Sequence, residues 1–217
     1  MTTRWTLAAA ALIAAPLVIC GCSHQNSAPV SPVAHPVPPV RQGAPAVGPG
    51  PSGTYTVAPQ PDPGSCHYRT SAAGQPLPDP HCTPGATNPK VTPETVASTI
   101  CVGGYTRSIR PPAAVTDREK QANARSYGYP GNLHDAEYDH LISLELGGDP
   151  NDPRNLWVEP PSPDHRPGSG PNNPKDAVEN QLHALVCSGA VPLGAAQDAI
   201  AADWTTALAA VGHPSGK

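Results

Sequence analysis

The sequence predicts an α+β domain: a small β-hairpin followed by a helix, with additional helices around it and a disordered proline-rich linker in front. Three observations predict it. Residues 137–157, EYDHLISLELGGDPNDPRNLW, hold two strand-like stretches around a glycine-rich turn. Residues 175–186 carry Val178, Leu182, Leu185 and Val186 at helical spacing. Residues 23–64 contain eleven prolines and almost no bulky apolar side chain.

The 31 prolines, 20 glycines and absence of phenylalanine in 217 residues separate a folded part from an unfolded one. A chain with only 4% aromatic residues cannot bury a core along its whole length. The formal charge of −4 counts against a broad basic surface for nucleic acid. It leaves room for positive charge supplied locally by a metal ion.

Arg4 and the apolar run 7–19, interrupted only by Pro16, read as a secretory signal. The run is short of the roughly 20 apolar residues that a membrane-spanning helix needs. It ends in Ile19-Cys20-Gly21-Cys22, which resembles a bacterial lipobox. On that reading residues 1–21 are removed and Cys22 carries lipid. The chain is then exported and anchored at the outer face of the bacterial cell membrane. An ordinary signal peptide cleaved nearby is the alternative. Residues 22–64 would be a disordered tether, with HPVPPV (35–40) and GPGPSG (48–53) extended and mobile. The folded domain is expected over 65–211, with its core at 136–188 and a frayed tail at 212–217.

Beyond Cys22 the cysteines are Cys66, Cys82, Cys101 and Cys187. An even number in an exported chain implies disulfides, and four cysteines allow three connectivities. The favoured one is Cys66–Cys82 with Cys101–Cys187. A zinc site is the alternative, although no pair has zinc-finger spacing.

Thr92-Pro93-Glu94 predicts a short helix running towards Ile100. Residues 101–109 read as extended or turn-like. The capping box Thr116-Asp117-Arg118-Glu119 predicts a helix over 117–126. Leu144 and Leu146 alternate with polar residues as on a half-buried strand, Gly147-Gly148-Asp149-Pro150 turns the chain, and Asn155-Leu156-Trp157-Val158 begins the return strand. Asn173-Pro174-Lys175-Asp176 opens the next helix, which Gly189 stops. A last helix covers about 192–210, with Ile200, Trp204 and Leu208 on one face. Trp157 and Trp204 read as core anchors.

A hairpin with Asp139-His140 on its first strand and Asn155 on its second, followed by a helix, resembles the HNH nuclease family, whose core is a ββα-metal hairpin-helix. The resemblance covers residues 137–157 and extends loosely to about 188. CTPGATNP (82–89), TICVGGYTRSIRPP (99–112) and KDAVENQLHALVCSG (175–189) also look like segments of exported bacterial proteins with this core. The resemblance implies metal-dependent hydrolysis of phosphodiester bonds by a monomer, with nucleic acid as substrate, DNA as the first expectation and RNA as the alternative. It implies Asp139 as a metal ligand and His140 as the general base, a role that suits a side chain whose unperturbed pKa is near 6.5. Asn155 falls on the family's middle Asn, which ties the loop between the strands and in some members binds metal. The third metal position falls on Asn173 or, as the alternative, His165. Oxygen ligands of this kind suit Mg²⁺ or Mn²⁺. Ser143 and Val158 stand where proline is usual in the family. Glu179 and His183, four apart, read as an exposed polar pair rather than two ligands. Arg107 and Arg110 read as members of surface salt bridges, with contact to a phosphate as the alternative.

Overall fold

A computed structural model describes residues 43–214. The signal, the lipidation at Cys22 and the tether as far as residue 42 lie outside the described residues, as do 215–217.

Helices and small sheets mix, as an α+β chain should. In chain order the elements are β1 (Ala46–Val47), β2 (Arg69–Thr70), β3 (Pro76–Leu77), β4 (Ala86–Thr87), α1 (Tyr105–Ile109), α2 (Ala113–Ser126), β5 (Glu137–His140), β6 (Leu156–Glu159), α3 (Lys175–Cys187), α4 (Leu193–Asp203) and α5 (Ala207–Ala210). β1 pairs parallel with β4, β2 antiparallel with β3, and β5 antiparallel with β6.

The main core joins Ile142 and Leu146, just past β5, to Leu182 and Val186 of α3, Ala196 and Ile200 of α4, and Ala207 and Leu208 of α5. The connection between β5 and β6 is thus pinned on a helical layer. Trp204 is buried here, and its indole donates to Pro76 O at 3.1 Å. Trp157 is fully buried in a second cluster with Tyr68, Tyr127 and the Cys66–Cys82 disulfide. Cys101–Cys187 is the second disulfide. Both pairings are the favoured ones.

The tether boundary is corrected. Residues 43–64 belong to the folded unit. Gly48 N donates to Thr87 O at 2.8 Å, Gly50 N to Asp149 Oδ2 at 2.6 Å and Ala58 N to Glu119 Oε1 at 2.6 Å. Asn123 donates to Gln60 Oε1, and Ser126 to Pro61 O. Composition argues against a core in this stretch, but extended backbone can be held by buried polar side chains instead. At Gly48 a Cβ would run into the Asp149 carboxylate, so a glycine is required there.

The tail is shorter than expected, since Gly212 and His213 still bond back to Ala209 and Leu208. Helix α2 starts at Ala113, not 117, because Pro112 is already extended and caps it. Glu119 is then free of the capping box and holds the strap at Ala58. Leu144–Leu146 is a 3₁₀ turn rather than strand, closed by Gly147 at φ +74°. Residues 105–109 form α1 rather than extended chain. The segment after Thr92 makes only a 3₁₀ turn at Val96–Ser98. The last helix breaks at Trp204–Thr206 into α4 and α5.

Candidate functional site

The pairing of β5 with β6 decides which side chains meet. Glu137 faces Glu159, Tyr138 faces Val158, Asp139 faces Trp157, and His140 faces Leu156. Strand residues alternate faces. Glu137, Asp139, Trp157 and Glu159 therefore share one face, and His140 lies on the other.

On its face, His140 is only 7% exposed. Its Nε2 lies 3.0 Å from Pro150 O. A carbonyl only accepts, so Nε2 carries the proton and Nδ1 keeps the lone pair. Burial pushes the pKa of the ring down to about 4.

Asn155 builds the loop that holds Pro150. Its Nδ2 donates to Ile142 O and Asp149 O, each at 3.0 Å. Its Oδ1 accepts from Ile142 N at 3.0 Å and Ala86 N at 3.4 Å. With both amide hydrogens and both lone pairs in use, Asn155 offers no atom to a metal. Its place as a ligand is corrected to that of a loop tie. Gly148 packs so closely beneath Ile142 O and this amide that a Cβ would collide with both.

The opposite face is crowded with carboxylates around one ammonium. Lys175 opens α3 and is 0% exposed. Its Nζ donates to Asp139 Oδ2 at 2.8 Å, to His140 O at 2.9 Å and to Glu179 Oε1, one helical turn on. Trp157 Nε1 donates to the same Asp139 Oδ2 at 3.1 Å. Burial pulls the Lys175 pKa down, but Asp139, Glu179 and Glu159 outweigh it, and the ammonium is held charged. Burial, then the neighbouring Asp139, pushes the Glu137 and Glu159 carboxyls above the usual range. Burial raises Glu179 too, against the pull of Lys175. Glu159 is 3% exposed, and its Oε2 has no hydrogen-bond partner among the described residues.

The other expected ligands make their hydrogen bonds to groups other than Asp139. Asn173 donates to Glu137 Oε2 at 3.1 Å and accepts from Lys175 N at 3.0 Å, which makes it a tie between β5 and the start of α3. His165 lies 2.7 Å from Gly170 O and 3.1 Å from Ser169 Oγ, inside its own loop. Asp135 anchors that loop through Gly168 N and Gly170 N. Asn155, Asn173 and His165 are thus each engaged in hydrogen bonds away from Asp139. Among the described residues, the group of three donor atoms that does cluster is Cys101, His183 and Cys187, and there the two sulfurs are bonded to each other.

Beside the hairpin, Thr106, Arg110, Ser143, Leu144, Glu145, Asp176, Glu179 and Asn180 line a cleft of about 210 Å³. Arg110 is exposed and forms no ion pair among the described residues. Its charge is near enough to His140 to help hold the ring neutral.

Sequence reasoning missed Lys175 and misplaced Glu179, which it read as half of an exposed pair with His183 but which is buried and bonded to Lys175. A Lys–Glu pair four apart on a helix normally sits on the surface. The pattern Glu-x-Asp on one strand, with Glu159 at the matching register, was the available sign that this face needed a cation.

The depressed His140 pKa carries a pH prediction. Between about pH 4 and 6.5 the folded chain binds fewer protons at this ring than the unfolded chain. His140 therefore contributes a loss of stability as pH falls from 6.5 through 4, fully developed below that and roughly 3 kcal/mol in size. The raised carboxyls work in the opposite sense, losing stability as pH rises. The comparison must therefore be between the natural chain and His140→Asn. Denaturant melts should show the natural chain losing stability relative to the variant across this window. A parallel pH dependence of the two would refute the buried neutral ring.

No family model, curated protein or solved structure matches the chain.

Proposed function

We propose that the folded domain is an HNH-like hairpin-helix nuclease that hydrolyses phosphodiester bonds of nucleic acid outside the cytoplasm, with DNA as the first substrate to test. The single observation that carries this is the state of His140: a neutral ring, oriented through Nε2 by Pro150 O, with Nδ1 left as a base. Nδ1 takes a proton from water, the water oxygen bonds to phosphorus, and the bond from phosphorus to the leaving oxygen breaks. The leaving oxygen takes its proton from solvent. Arg110, without an ion pair among the described residues and at the rim of the cleft, is suited to hold the non-bridging oxygens. Asn155 keeps Pro150 in place. No step is assigned to a divalent ion, because Asp139 Oδ2 is already paired with Lys175 and Trp157 and the Asn155 amide is taken up by backbone groups.

Two disulfides fit an exported chain. Lipid at Cys22 would hold a monomer at the membrane surface.

The test uses the full chain and supercoiled plasmid DNA. His140→Ala should slow cleavage by about 10²–10⁴-fold, the usual worth of a general base. Unchanged cleavage would remove His140 from the chemistry. A second reading, a non-catalytic surface lipoprotein with a binding or structural role, is favoured by the small exposure of His140. It predicts no cleavage by the natural chain with Mg²⁺, Mn²⁺ or EDTA.

A further inference from the structure

The carboxylate-rich face of the hairpin already contains a cation. Glu137, Asp139 and Glu159 come from β5 and β6, and Asp176 and Glu179 from the first turns of α3. Lys175 reaches into this group with its whole side chain buried. An ammonium has three N–H donors, and all three are taken, by Asp139 Oδ2, Glu179 Oε1 and His140 O. Asp139 Oδ2 also takes the Trp157 indole. A lysine in the first turn of a helix is opposed by the helix dipole, so the surrounding carboxylates must be what holds it there.

We propose that Lys175 is the resident cation of this centre, occupying the space between Asp139 and Glu179 that a divalent ion would otherwise take. The chain then binds no Mg²⁺ or Mn²⁺ at Asp139, and cleavage at His140 proceeds without added metal. Replacing the ammonium by a neutral group of similar length leaves hard oxygen donors facing one another and creates a divalent-ion site. Mg²⁺ and Mn²⁺ favour such donors, and Glu159 Oε2, buried without a partner among the described residues, is a further oxygen available to complete it. The binding half of the inference stands on its own. The cleavage half rests on the nuclease reading.

Trp157 provides the readout. Its indole nitrogen is 3.1 Å from Asp139 Oδ2, so Tb³⁺ held by Asp139 would be excited through the indole and emit. Five forms of the full chain are compared at neutral pH: the natural chain, Asp139→Asn, Lys175→Met, Lys175→Arg, and Lys175→Met with Asp139→Asn. Sensitised emission is expected in Lys175→Met alone, displaced by Mn²⁺. Emission from the natural chain that is lost on Asp139→Asn would overturn the inference, and so would a folded Lys175→Met that binds neither ion. Should Lys175→Met fail to fold, the natural chain and Lys175→Arg still decide, since Tb³⁺ at Asp139 in either overturns it and absence in both supports it. Plasmid cleavage by the natural chain should be unchanged by EDTA, and loss of cleavage in EDTA would also overturn it. Absence of cleavage in every condition counts against the nuclease reading, and the Tb³⁺ measurements then decide this inference by themselves.

Discussion

Asn155→Ala should destabilise the domain by about 4 kcal/mol or more, because it strips the partners from four buried backbone groups at once. Those groups are Ile142 N, Ile142 O, Asp149 O and Ala86 N. Each orphaned buried donor or acceptor costs about 1–3 kcal/mol. Asn155 is 0% exposed, and the Ile142 carbonyl and the Asn155 amide both pack against Gly148. The vacated space therefore offers water little access to rescue these groups. Domains of this kind hold only about 5–15 kcal/mol in total, so the variant should unfold at markedly lower denaturant. The same tie fixes the loop bearing Pro150, which orients His140. On the proposed nuclease reading, cleavage should accordingly fall even at temperatures where the variant is folded. Asn155→Asp keeps the acceptor and loses both donors, and should fall between the two. A loss below about 1 kcal/mol on Asn155→Ala would mean that the loop has other ties.

That loop also shows where sequence reasoning works and where it stops. Glycine pairs, an Asp-Pro step and a return run rich in apolar residues are local signals, and they place β5, the turn and β6. Leu-Glu-Leu is a local signal too, but an ambiguous one. Two leucines two apart suit a strand face, and equally a 3₁₀ turn that drops both into the helical layer, as Leu144 and Leu146 do. The strap 43–64 failed for a different reason. Nothing in its proline-rich composition reveals that Asp149 and Glu119, some 60–100 positions away, accept its backbone N–H groups. The site divides in the same way. Asp139 and His140 stand side by side in the sequence, and their opposite faces follow from strand geometry. The burial of Lys175 depends on how α3 docks against the hairpin, and a local Lys–Glu spacing cannot distinguish it from a solvated pair.

The docking of α3 makes the Cys101–Cys187 disulfide the more valuable of the two. It spans 86 positions and joins the turn before α1 to the last residue of α3. Cys66–Cys82 spans 16. If the main effect is on the unfolded chain, the loop lengths give about 4.5 kcal/mol for the first and about 3 kcal/mol for the second. Guanidinium melts of Cys101→Ala/Cys187→Ala and Cys66→Ala/Cys82→Ala should therefore rank in that order. The reverse order would show that packing dominates, since Cys66 is buried against Trp157 and Tyr127. The longer bridge also bears on the site. His183 Nε2 lies 2.9 Å from Ile100 O, so bridge and histidine together hold the far end of α3 to the segment that leads into α1. Lys175 and Glu179 sit at the near end of the same helix, and Arg110 follows α1 directly. Cutting this bridge should therefore loosen the ammonium from Asp139 as well as lower the melting point. Cutting the shorter one should lower the melting point and leave the Lys175 contacts in place.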